Sequence, residues 1–148
     1  MGIRRGRPGV ADGMKLSDFE GDWAIKRRIR NAIGADAQFS GTASFSRDGE
    51  GLILSEAGEM KIDGVLMQAA RRYFWRQGKA GIEVYFEDGR FFHLIGGGQR
   101  VQAHHDCAPD IYDVCYDFSG WPEWGSVWNV TGPRKDYRME TAYSPGAI

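Results

Sequence analysis

Several polar residues stand at positions where the surrounding pattern calls for apolar ones. Arg27 shares a strand face with Trp23, Ile25 and Ile29, His93 shares one with Phe91 and Ile95, and His105 shares one with Val101 and Ala103. A polar side chain on an apolar face needs a partner or a ligand, because burying it unpaired is costly. Arg27, His93, His105 and one arginine of the Arg71-Arg72 pair therefore form a candidate anion-holding cluster, with Arg72 taken as the ligand residue. The competing reading is a buried network that satisfies itself beside solvent-facing arginines. A second pattern is a cation followed two residues later by tyrosine, in Arg71-x-Tyr73 and Lys135-x-Tyr137. Residues i and i+2 of a strand point the same way, so each pair could grip one carboxylate, and Tyr137 joins the candidate ligand residues.

The run His104-His105-Asp106-Cys107 contains zinc-ligand types, but alternation lets only His105 and Cys107 converge with His93. No H-x-x-x-H or C-x-x-C spacing supports a metal, and none is expected. Cys107 has no adjacent helix N-terminus to depress its thiol pKa, so no nucleophile is assigned. No haem motif accompanies His93 or His105, and no cofactor is expected. An acid or base role for either histidine stays as a lesser alternative, and no catalytic residue is named.

These residues must be positioned by strands. Gly supplies 21 of 148 residues, about twice the ordinary share, whereas residues 9–108 contain no proline. Turn signals at 47–51, 63–64, 77–81, 87–90 and 96–98 separate runs that alternate with period two. The pattern predicts strands near 22–30, 37–46, 51–58, 66–76, 81–87, 90–95, 99–106, 111–118, 124–131 and 135–143. A short helical turn over 16–20 precedes them, capped by Ser17 or Asp18. Eight to ten short strands with no helix to cover a sheet predict an all-β, antiparallel up-and-down barrel, wide enough for side chains or one small ligand. Trp121, Trp124 and Trp128 surround Pro122, and Trp124 and Trp128 share a parity that packs them inside. Trp121 is the one expected to be exposed, as a lid or a partner contact.

The segment Phe19-Glu20-Gly21-Asp22-Trp23 resembles the G-x-W opening of the calycins, the superfamily of lipocalins and fatty-acid-binding proteins. That resemblance implies that Gly21 and Trp23 are structural, with Trp23 closing the narrow end and Arg138, or Arg134, lying across its indole. In fatty-acid-binding proteins an Arg-x-Tyr pair holds the ligand carboxylate. The chain from about 18 to 143 also looks like a small uncharacterised bacterial family of calycin-like domains, through Arg71-Arg72-Tyr73-Phe74-Trp75, the run from Phe86 to His93, and the run from Gly132 to Tyr137. This implies a fold and no activity. The internal Thr-Asp-Tyr motif of classical lipocalins has only Lys135-Asp136-Tyr137 as a counterpart.

Composition bounds the rest. Apolar residues at 42% and charged residues at 26% describe a chain that folds, and 148 residues suit one domain. The expected division is a flexible tail over 1–15, with Met14 an alternative start, and a barrel over 16–144. A net charge of −1 with no basic block beyond the tail argues against nucleic acid. The absence of an apolar stretch of membrane length, of an export signal and of a lipidation motif predicts a cytoplasmic protein with no membrane partner and with Cys107 and Cys115 reduced. The function this favours is a barrel that binds one small, mostly apolar or amphipathic molecule with a polar or anionic head. The alternative is a protein-interaction domain whose barrel is filled by its own aromatics, and a homodimer is compatible with either.

Overall fold

Alternation of apolar and polar residues, broken by glycine turns, produces ten antiparallel strands in the computed structural model, which describes residues 14–146. They are β1 (Gly21–Asn31), β2 (Ala37–Asp48), β3 (Gly51–Ile62), β4 (Val65–Gln77), β5 (Ile82–Phe86), β6 (Phe91–Ile95), β7 (Arg100–Cys107), β8 (Asp110–Asp117), β9 (Trp124–Thr131) and β10 (Asp136–Pro145). The hydrogen-bonded order is β6-β5-β4-β3-β2-β1-β10-β9-β8-β7, so chain neighbours pair everywhere except between β6 and β7, and β1 pairs with β10. This is the expected up-and-down barrel. It is nearly closed, since β6 and β7 meet without a hydrogen-bonded ladder between them.

Turn chemistry sets the register. Asp63 and Gly64 both adopt positive φ, 50° and 78°, as a two-residue hairpin of the Asp-Gly type requires. Gly41 and Gly58 face each other across β2 and β3. A Cβ on either would collide with backbone of the other strand, at the Ala57 and Ser40 carbonyls, so only glycine lets the ribbon bend this tightly.

One end of the barrel is plugged. A 3-10 turn at Leu16–Phe19 inserts Phe19, fully buried, among Phe45, Trp75, Phe118 and Trp124, with ring centroids 5.1–5.7 Å away. Trp23 packs beside this plug and donates its indole N–H to the Phe19 carbonyl at 2.8 Å. Gly21, at φ +119°, makes the corner that turns the chain from the plug into β1. The turn starts at Leu16, as the sequence suggests, but its cap differs: Lys15 is the N-cap, Ser17 does not cap it, and Asp18, inside the turn, accepts a hydrogen bond from the Lys15 amide. The expected tail falls almost wholly outside the described residues, but Met14, assigned to it, is buried in the core.

Two further expectations are corrected. Arg138 does not cross Trp23: it lies on the outer face, paired with Glu140 at 3.0 Å, because its β10 position is opposite Arg30 whereas Trp23 is opposite Pro145. Trp121 is not an exposed contact, since its ring lies against Phe19 at 5.3 Å and Trp23 at 5.4 Å as part of the plug.

Candidate functional site

Away from the plug, the inward-facing residues pass from buried to half-buried, at Ile29, Met60, Ala69, Tyr112 and Tyr137. The barrel is therefore a cup, closed at the Trp23 end and open at the other. Its middle holds a charged cluster built by three strands. Glu56 follows Leu52 and Leu54 on the inner face of β3 and is 2% exposed. Arg27 of β1 grips it with both terminal nitrogens, at 3.0 and 3.1 Å, and donates its Nε to Thr141 Oγ1 at 2.8 Å. Arg71 of β4 donates its Nε to Glu56 Oε1 at 2.7 Å, and the Tyr143 hydroxyl lies 3.4 Å from Oε2.

Burial alone would raise the Glu56 pKa, but Arg71 and Arg27 more than reverse this and hold it at about 2. Burial would likewise lower the Arg71 pKa, and the Glu56 carboxylate reverses that, so the guanidinium stays charged.

The two arginines differ in what they have left to offer. Arg27 is buried and its Nε and both terminal nitrogens are engaged by Thr141 and Glu56. Arg71 is surrounded by protein, yet 33% of its side-chain surface is accessible, and its terminal nitrogens have no hydrogen-bond partner among the described residues. Its guanidinium lies 5.1 Å from the Tyr73 ring centre and 5.0 Å from that of Trp128, and these faces fix its plane. An arginine held by its Nε and by two rings, with its far edge open, is preorganised to receive an anion.

Of the Arg71-Arg72 pair, it is Arg71 that faces the barrel interior. Arg72 has the opposite parity, lies outside the barrel and pairs with Glu87 at 3.2 Å. Tyr137 lines the open half, where burial raises its pKa. His105 faces inward against Phe86 at 5.8 Å and Tyr112 at 6.1 Å. His93 is 1% exposed, with Nε2 2.9 Å from the Tyr116 hydroxyl and Nδ1 without a partner among the described residues. Its pKa is pushed down to about 3 by burial and by His105, so it is neutral. The sequence pairs His93 with Phe91 and Ile95, but the register slips between Val84 and Tyr85, and two consecutive residues, Phe92 and His93, point inward. Phe91 is turned out, and Phe92 sits between the histidines, 4.3 Å from His93 and 5.5 Å from His105. Among the described residues no three His, Cys, Asp or Glu side chains converge to hold a metal ion. His104 lies on the outer face, bridging Asp113 at 2.6 Å and Asp106 at 2.8 Å.

Glu56 was missed in the sequence, although Leu52-x-Leu54-x-Glu56 carries the same signal that singles out Arg27: a charge in register with an apolar face. Two further features lie outside the cup. A groove of about 840 Å³ crosses the outer face of β7–β10, β1 and β2, lined by residues such as Lys26, Arg28, Gln38, Gln102 and Glu140. At the open rim stand exposed apolar side chains: Ile33, Val65, Leu66, Met67, Phe91 and Ile111.

The fold is a nearly closed, calycin-like antiparallel barrel with a plugged base. The chain belongs to the family described as "Family of unknown function (DUF6314)", which matches residues 19–145. Among solved structures it is similar to an S-type phycobiliprotein lyase, CPES, from Guillardia theta, with a TM-score of 0.63 and 7% identity over 91% of this chain and 94% of that one. At that identity the likeness shows the fold alone. No curated protein matches the sequence. Among the described residues no helix is long and apolar enough to cross a membrane.

Proposed function

We propose that the protein is a small-molecule-binding barrel that takes an amphipathic ligand into its open half and meets the ligand's anionic head with Arg71. The observation that carries this is the state of the Arg71 guanidinium: inside the barrel, fixed by Glu56, Tyr73 and Trp128, and open along its terminal edge. A self-contained core network would consume those donors, as it does for Arg27. Tyr137 and His105 line the same space, Arg27 positions Glu56, and His93 supports the wall through Tyr116. The lyase likeness is compatible with a ligand-handling barrel and supplies no ligand.

The test is the intact mass of purified wild type and Arg71→Gln under gentle and denaturing conditions, paired with titration of 1-anilinonaphthalene-8-sulfonate. A wild-type adduct that leaves on denaturation, or one-site uptake of the dye, with either lost in R71Q, supports the reading. A wild type that carries nothing and takes up no dye contradicts it.

A second reading has its own observation. The apolar side chains at the rim are set around the mouth, on the β1–β2 loop, the β3–β4 hairpin, β6 and β8. Such a collar suits contact with a partner protein. The Trp121 loop, expected to serve that role, is part of the plug.

A further inference from the structure

The cup has a charge balance and two unlike walls, and together these constrain what fits. Among the described residues, the inward side chains that are ionised throughout the ordinary pH range are Arg27, Arg71 and Glu56. Two guanidiniums therefore face one carboxylate, and the neutral His93 adds nothing. At the rim Lys135 is cancelled by Asp110, 2.9 Å away. The barrel interior thus carries one net positive charge in a place where an uncompensated charge is expensive. One negative charge on a ligand completes it. A second would be left buried without a cation, and a neutral ligand would leave Arg71 unmatched.

Shape narrows the anion further. Because the Arg71 Nε is occupied by Glu56, the edge left open is the one formed by the two terminal nitrogens, which matches the two oxygens of a planar carboxylate. The surrounding walls are unlike each other. Tyr73, Phe86, His105, Tyr112, Trp128 and Tyr137 give an aromatic side, whose rings meet mostly edge to face, such as Tyr73 and Trp128 at 6.3 Å. Ile29, Met60 and Ala69 give an aliphatic side. A flat, rigid body gains ring-to-ring contact on one side and loses less conformational freedom on binding than an alkyl chain of equal size.

We infer that the ligand is a singly charged, planar aromatic or conjugated carboxylate, seated with its carboxylate on the terminal edge of Arg71 and its ring between the Tyr73–Trp128 wall and the Met60 side. This rests on the reading of the cup as a ligand site and goes beyond it by fixing charge, head group and body.

Isothermal titration at pH 8 separates the two. The probes are 2-naphthoate, 2-naphthamide, 2-naphthyl phosphate and decanoate, which vary charge and body one at a time. The phosphate ester is close to doubly charged at that pH, since its second pKa is about 6. In the wild type 2-naphthoate is expected to bind at least about 10-fold more tightly than the amide or the phosphate, the scale of one charge-assisted hydrogen bond, and more tightly than decanoate, which shares its carboxylate but not its rigid ring. In R71Q, which leaves the Arg27–Glu56 pair intact, the preference for naphthoate over naphthamide should fall to within about 3-fold, because the charge-assisted contact is gone. If the phosphate, the amide or decanoate equals 2-naphthoate in the wild type, the inference is overturned while the cup remains a ligand site. If none of the four binds and 1-anilinonaphthalene-8-sulfonate is not taken up either, both fall.

Discussion

Glu56→Gln tests the centre of the barrel. The carboxylate is 2% exposed, is gripped by Arg27 through two hydrogen bonds of 3.0 and 3.1 Å, and holds Arg71 at 2.7 Å. Replacing it leaves two guanidiniums facing each other around a neutral amide, and removing one partner of a buried ion pair costs about 3–5 kcal/mol. Titration gives an independent figure. Lowering the carboxyl from 4.5 to about 2 on folding is worth about 3 kcal/mol of stability at neutral pH. Because the folded value is the lower one, this stability is complete above about pH 4.5 and is lost as the pH falls toward about 2. Urea titrations followed by tryptophan fluorescence, on both proteins from pH 7 to pH 2, read the difference between them, from which other titrating groups cancel. The expected difference is about 3–5 kcal/mol at pH 7, shrinking through the window from 4.5 to 2. A difference below about 1 kcal/mol at pH 7, or one independent of pH, would refute the claim that Glu56 anchors both arginines.

His93 predicts a second acid-sensitive window. Its folded pKa of about 3 lies below the ordinary 6.5, so the unfolded chain takes up a proton that the folded one refuses, and stability falls as the pH drops from about 6.5 toward 3. His93→Phe should flatten that window, which in the wild type amounts to about 5 kcal/mol, and the same urea titrations read it. Trp23→Ala opens a cavity in the plug and strands the Phe19 carbonyl, and is expected to cost about 3–5 kcal/mol with the open half of the cup retained. A near-neutral urea midpoint would mean that the turn carrying Phe19 seals the base without Trp23.

The strands were legible because their turns and alternation are local signals. All ten fall where glycine turns and period-two patterning place them, and parity alone turns Trp23, Phe45, Trp75 and Trp124 inward at the closed end, whereas Phe19 and Trp121, which complete the plug, lie outside the strands where no parity can be counted. What escaped depends on register. Nothing local distinguishes Arg71 from Arg72 until Glu56 is known to stand opposite Arg71 on β3, and that pairing follows from the β3–β4 turn. The slip at Val84 and Tyr85 reverses Phe91 and Phe92, and it cannot be seen in a segment where every residue but one is apolar. Arg138 was placed by analogy with related barrels, and the β1–β10 register sets it seven residues from the level of Trp23, whose own partner is Pro145.

The central claim is that ligand binds inside the cup on Arg71. A crystal structure of the protein with 2-naphthoate tests it most directly, because the outer groove of about 840 Å³ offers a competing place for the same molecule. The account predicts the carboxylate within hydrogen-bonding distance of both terminal nitrogens of Arg71, with the ring against Tyr73 and Trp128. Naphthoate found only in the outer groove beside Lys26 and Arg28, with Arg71 untouched, would contradict it.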